Sequence, residues 1–237
     1  MTDHVRLILA DRAGLAAAQE AVAAHHYLRA PVDSRCSPVA YLVTLAETKV
    51  IGCLIFGRPE ATRCYSGNLT YGSQADVERE RAAFDRWEIL NLARVWLDPR
   101  VQRGGRWCRA DLLPGFTDRR GQWRSALASW CIQEALSTIG YDYLSQKPPV
   151  FPDEPYEIKA VLSYCDTRHH RGTIYAAAGF TLARRNDVGI ETWFTEQVAP
   201  LSSYEHDQIR KAAWRSPRGV HLRARRQSSA QQEAMSL

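Results

Sequence analysis

Residues 161–180, VLSYCDTRHHRGTIYAAAGF, constrain the fold more than any other stretch of this chain. An apolar run carries straight into Asp166. His169 and His170 follow, Arg171-Gly172 breaks the chain, and a short Ala-rich segment holding Tyr175 exits at Gly179-Phe180. A strand that gives way at once to titratable residues and a helix start belongs to an α/β protein, at a junction where such proteins hold ligands. The helix start offers backbone N–H groups to an anion, while Asp166, a histidine and Tyr175 can meet in one cleft.

The rest of the chain has to cover that strand. With 237 residues it can bury one substantial core. We expect a single catalytic domain over residues 1–200 and a basic, partly disordered tail over residues 201–237. The tail holds seven Lys/Arg against three Asp/Glu, a net of +4, which leaves +1 of the chain's +5 for residues 1–200. Such a tail, with Arg223, Arg225 and Arg226, either grips a phosphate backbone or is a solvated terminus. No cationic start leads into an apolar stretch, and no apolar run nears the ~20 residues of a membrane span. The expectation is therefore no membrane partner and a cytoplasmic location, in a bacterium or a phage-infected host. The cysteines at 36, 53, 64, 108, 131 and 165 are scattered, with no C-x-x-C pair. They read as buried thiols rather than a disulfide framework.

Along the chain, residues 5–10 read as a strand and 14–24 as a helix that runs out at His25-His26-Tyr27. Residues 39–46 and 50–56 form a hairpin pattern, and 58–84 a long polar excursion. Residues 88–97 alternate as a strand until Pro99, and 100–120 look like an Arg- and Gly-rich loop over a cleft. Helical spacing covers 122–139, with Gly140 as its stop. Residues 160–164 predict a buried strand, 173–178 a short helix, and 180–184 with 191–194 a closing strand pair. This β-α-β-β-β-α-β-α-β-β order is similar to the acetyltransferase-like (GNAT) fold: an α/β (α+β) protein with a central mixed, mostly antiparallel sheet flanked by helices.

Enzymes of that fold that use acyl-CoA hold its pyrophosphate on backbone N–H groups in an Arg/Gln-x-x-Gly-x-Gly/Ala loop at a helix entry. The candidates here are Arg103-Gly104-Gly105 and Arg120-Gly121-Gln122-Trp123-Arg124-Ser125. Neither fits, and Trp123 and Arg124 stand where small residues are wanted. Arg94 lies inside an apolar strand, where a charge must pair or face a ligand; a structural ion pair, with Glu88 for example, is the other reading. Ser125 is either a helix-entry residue or a ligand contact. Asp166-x-x-His169-His170 allows a base with its orienter, or a metal site built from His26, Asp166 and His170.

Several segments together resemble one family, the Mom-type DNA-modification proteins of bacteriophages and related mobile elements. They are His26-Tyr27 before a Pro-containing loop, Ile51-Gly52 and Phe56-Gly57-x-Pro59, Leu92-x-Arg94-x-Trp96-Leu97, a helix entered with Ser125, and Ser163-Tyr164-x-Asp166 leading to His170-x-Gly172-Thr173-Ile174-Tyr175-x-Ala177. The family pattern has Gly-His where this chain has His169-His170, and residues 58–84, 100–120 and the tail have no counterpart. The resemblance implies a GNAT-like transferase that adds a carbamoylmethyl-type group to the exocyclic amine of adenine in DNA and so protects it from restriction. It implies His26, Tyr27, Asp166 and Tyr175 as catalytic residues, with Asp166, aided by His26, as general base or orienter of the amine. Arg94, Ser125, His170, Gly172 and Thr173 would bind substrate or donor, and Arg103, Arg106, Arg119, Arg120, Arg223, Arg225 and Arg226 would contact DNA. The partners would be DNA and a small-molecule group donor, which is acetyl-CoA or another acyl donor, with or without a metal ion. Two other functions stay open: a GNAT N-acyltransferase using acetyl-CoA on a small amine or protein, and a nonenzymatic nucleic-acid-binding protein.

Overall fold

The structure, a computed structural model, describes residues 4–46, 48–59, 88–148 and 157–216. Nearly all of the expected excursion at 58–84 lies outside these, as do Cys64, Arg223, Arg225 and Arg226. The first half runs β1 (Val5–Leu9), α1 (Arg12–His25), β2 (Val39–Leu45), β3 (Lys49–Gly57) and β4 (Ile89–Leu97). A small hairpin follows, β5 (Gly115–Thr117) and β6 (Trp123–Ser125), and then α2 (Leu127–Gln146). The second half is β7 (Ala160–Asp166), α3 (Thr173–Ala177), β8 (Thr181–Arg185), β9 (Ile190–Thr195) and α4 (Ser203–Arg215).

Seven strands form one sheet in the order β1-β2-β3-β4-β7-β9-β8. Every neighbouring pair is antiparallel except β4 and β7. This is the mixed, mostly antiparallel sheet expected, with the antiparallel meander over β1–β4 and the strand pair at the end. Alternation along β2 and β3 explains the layers. Val39, Tyr41, Val43, Leu54 and Phe56 face the main core with Cys131, Ile132, Ala135, Ile139 and Tyr143 of α2. Ala40, Cys53 and Ile55 face Ala18 and Val22 of α1 on the other side. Tyr41 ties β2 to α2 by donating to Asp142 Oδ2 at 2.6 Å. Among the described residues no disulfide joins cysteines, and Cys53, Cys131 and Cys165 are buried. No described helix is long and apolar enough to cross a membrane.

Three local expectations change. The helix expected over 122–139 starts at Leu127, because Trp123-Arg124-Ser125 pair with Gly115–Thr117 as a strand. Asp118 and Gln122 close that hairpin, with Gly121 at φ +74° in its turn. Gly140 does not stop α2: it is buried in mid-helix, where the chain at Val198, Ala199 and Leu201 crosses within 3.7 Å of where a Cβ would stand. Finally, the segment expected as a tail opens with α4, started by a capping box in which Ser202 and Glu205 satisfy each other's backbone N–H. It buries Ile209 and Ala213 toward the core.

Candidate active site

The one parallel pair shapes the site. The ladder between β4 and β7 covers Ile89–Leu92 against Ala160–Ser163 and stops there. Beyond it, β4 runs on to Leu97 beside β3, and β7 runs on to Asp166 beside β9. The two strands part, and a fork opens between their C-terminal halves. At its floor Ser163 Oγ donates to Leu92 O at 2.8 Å, and the buried Tyr175 hydroxyl shares a hydrogen bond with Ser163. Burial pushes the Tyr175 hydroxyl up to about 12, so it stays protonated.

A bulge aims Arg94. The β3–β4 register slips between Ile55↔Arg94 and Phe56↔Leu92, leaving Ala93 as the extra residue. With strict alternation Arg94 would follow Leu90 and Leu92 into the main core. The bulge instead sets it opposite Ile55, on the face covered by α1. There its charge helps hold down the pKa of His26, just past the end of α1. The alternative of a pair with Glu88 fails on distance, six residues being about 20 Å along a strand; Glu88 bonds Lys159 at 2.6 Å.

The corner after α1 meets the turn after β7. His26 packs on Tyr27 with ring centroids 4.3 Å apart, His169 stacks on Tyr27 at 4.7 Å, and His170 meets it edge-on at 5.1 Å. Burial, then Arg94, then His170 pull His26 down to about 4, so it is neutral at neutral pH. Its Nδ1 accepts the Leu28 N–H at 3.2 Å, which leaves the proton on Nε2 as a donor. Burial and His169 also lower His170. Burial and Asp166 raise the Tyr27 hydroxyl. His26, Tyr27, Arg94, Asp166, His170 and Tyr175 are therefore electrostatic neighbours around one fork.

Asp166 has a partner the sequence reading missed. Arg168 chelates it, with Nε to Oδ1 at 2.9 Å and Nη2 to Oδ2 at 2.6 Å, and the Arg168 N–H adds a third bond at 3.0 Å. The guanidinium holds the carboxyl down at about 2. So paired, Asp166 is a fixed anion suited to orienting a group, and a poor base. The signal was present as D-x-R: Asp33-Arg35 and Asp98-Arg100 form the same chelate, each Asp also accepting the N–H two residues on. Gly172 is also structural. At φ +68° it caps α3 over the Trp193 indole, which a Cβ would approach to 2.5 Å, and its N–H bonds Cys165. Thr173 is exposed at the start of α3. Ser125 ends β6, one residue before the N-cap of α2, and its Oγ accepts the Leu127 N–H at 3.3 Å. Arg103 and Arg106 lie exposed after β4, and Arg119 and Arg120 at the tip of the β5–β6 hairpin.

Among the described residues no group of three or more His, Cys, Asp or Glu side chains could hold a metal ion. His26, Asp166 and His170 do not fit one as arranged, since His26 Nδ1 and both Asp166 oxygens are already engaged.

No family model matches the chain, and no curated protein does. Solved structures with a similar chain path include the spermidine/spermine N-acetyltransferase SpeG of Vibrio cholerae in complex with manganese ions. It is 10% identical, with a TM-score of 0.42 over 83% of this chain and 94% of that one. A spermidine N-acetyltransferase from the same organism, in complex with CoA and spermine, is 10% identical, with a TM-score of 0.42 over 82% and 96%. Likeness this shallow says nothing of activity.

Proposed function

We propose that the chain transfers a small group, of the carbamoylmethyl type, to the exocyclic amine of adenine in DNA, with the fork as its pocket. The observation that carries this reading is the convergence of His26, Tyr27, Arg94, Asp166, His170 and Tyr175 on one fork. In the transfer the amine nitrogen bonds to the donor carbon, the donor's leaving group departs with its bonding pair, and the nitrogen sheds a proton. His170, kept neutral, accepts that proton, while Asp166, fixed by Arg168, orients the amine. His26 Nε2–H and Arg94 hold the anionic part of the donor. Tyr27 stacks on the base, which has to be flipped out of the duplex to arrive. Arg94 and the exposed Arg103 and Arg106 after β4 favour a polyanion and oppose a polyamine as acceptor.

A second reading, N-acyl transfer from acetyl-CoA to a small amine or protein, is favoured by the start of α2. Its N-cap, Ala126, makes no side-chain cap bond, and with the Leu127 N–H taken by Ser125 Oγ the next N–H groups of the first turn are left to a phosphate. Mass spectrometry of nucleosides from cells expressing the chain separates the two. Modified deoxyadenosine that disappears with Arg94→Met supports the first reading, and unmodified adenine under good expression sinks it. For the second, acetyl-CoA has to raise the melting temperature.

A further inference from the structure

Beside the fork, three cations converge on one indole. Lys49 Nζ lies 3.9 Å from the Trp107 ring centroid, Arg100 Cζ 4.3 Å and Arg106 Cζ 4.9 Å. The three charges therefore sit within about 9 Å of one another, where like charges repel. Their acidic partner is Asp98, which is bonded to Arg100 and held down further by Lys49. Asp111 in the same loop is taken by Arg109. Lys49, Arg100 and Arg106 are exposed, whereas Trp107 is partly buried and packs on the main core.

We infer that this cluster is a grip for consecutive phosphates of a DNA strand. Successive phosphates on a strand of duplex DNA rise about 3.4 Å along the axis and lie farther apart around the helix, so a cluster this wide reaches two neighbouring phosphates. The indole supplies preorganisation: side chains resting on a ring anchored in the core lose little further freedom on binding. Placement fits as well. Asp98 directly follows β4, and Lys49 opens β3, whose Gly52 pairs with Leu97. The cluster thus stands at the C-terminal end of β4, about 13 Å along the strand from Arg94. A strand held there passes along the rim of the fork into which a flipped base would go.

This inference rests on the DNA reading, yet the two can fail separately, since nucleoside masses test the chemistry and salt dependence tests the grip. The experiment measures the affinity of the full chain for a short duplex between 50 and 200 mM salt. The wild type is compared with Lys49→Ala/Arg106→Ala, and with the control pair Arg12→Ala/Lys147→Ala, which removes equal charge at the opposite end of the sheet. Losing two phosphate contacts lowers the log–log salt slope by about 1.8, so the loss of affinity over that range shrinks about twelvefold. Circular dichroism and melting temperatures confirm that both pairs are folded. An unchanged slope in the Lys49/Arg106 pair overturns the grip. So does an equal drop in the control pair, or loss of inorganic pyrophosphate binding with the DNA slope intact.

Discussion

Gly172→Ala is the sharpest test of how the wall of the fork is built. Two terms add. The left-handed φ of +68° costs a residue with a Cβ about 1–2 kcal/mol. The new Cβ would also lie 2.5 Å from Trp193 Cζ2 and 2.8 Å from Nε1, so the indole has to move. Trp193 is buried and donates to Glu191 Oε2 at 3.0 Å; Glu191 is buried too and bonded to Arg185. Breaking a hydrogen bond to a buried carboxylate costs about 1.5–3 kcal/mol. The expected loss is about 3–5 kcal/mol, a large share of the 5–15 kcal/mol typical of a domain. Urea unfolding measures it, with the midpoint falling by roughly 2 M at an ordinary m-value. A double-mutant cycle isolates the cause. In a Trp193→Ala background only the backbone term survives, so the same substitution should cost about 1–2 kcal/mol. Equal costs in the two backgrounds, or a loss below about 1 kcal/mol in the first, would refute the clash.

Three further outcomes follow from the same geometry. The folded pKa of His26 is about 4, below its ordinary 6.5, so the unfolded chain binds the extra proton first; stability falls as pH drops from about 6.5 to 4, and urea midpoints of His26→Gln should fall less over that window. Arg94→Met removes one of the charges that hold His26 down, so an NMR titration should find its pKa above 4; an unmoved value would leave burial and His170 as the whole cause. Tyr41→Phe deletes the 2.6 Å bond to Asp142 that ties β2 to α2 and should cost about 1–2 kcal/mol by chemical denaturation, while the strand order is kept.

Much of the architecture was legible because it is local. The apolar runs VAYLVTL and KVIGCLIFG mark β2 and β3 as a hairpin, and the run into Asp166 with the break at Arg171-Gly172 marks the end of β7 and the start of α3. The β5–β6 hairpin was missed because Trp123-Arg124-Ser125 carries no period of its own; its partner strand and the turn at Gly121 make it a strand. Gly140 misled for a related reason, since glycine in a helix reads as a stop unless another segment crosses it closely.

At the fork, the residue types could be named from the chain: His26, Tyr27, Arg94, Asp166, His170 and Tyr175. Their states could not. The bulge at Ala93 that turns Arg94 toward His26 depends on how β3 pairs with β4. Neutrality at His26 depends on burial and on a charge far away in sequence. The chelate on Asp166 was written in the chain as D-x-R, but its consequence, a carboxylate too acidic to serve as a base, follows only from the folded geometry. Side-chain chemistry and strand periodicity are properties of short stretches, which sequence reports. Register, desolvation and charge proximity arise only where distant stretches meet, and those set what each group at the fork can do.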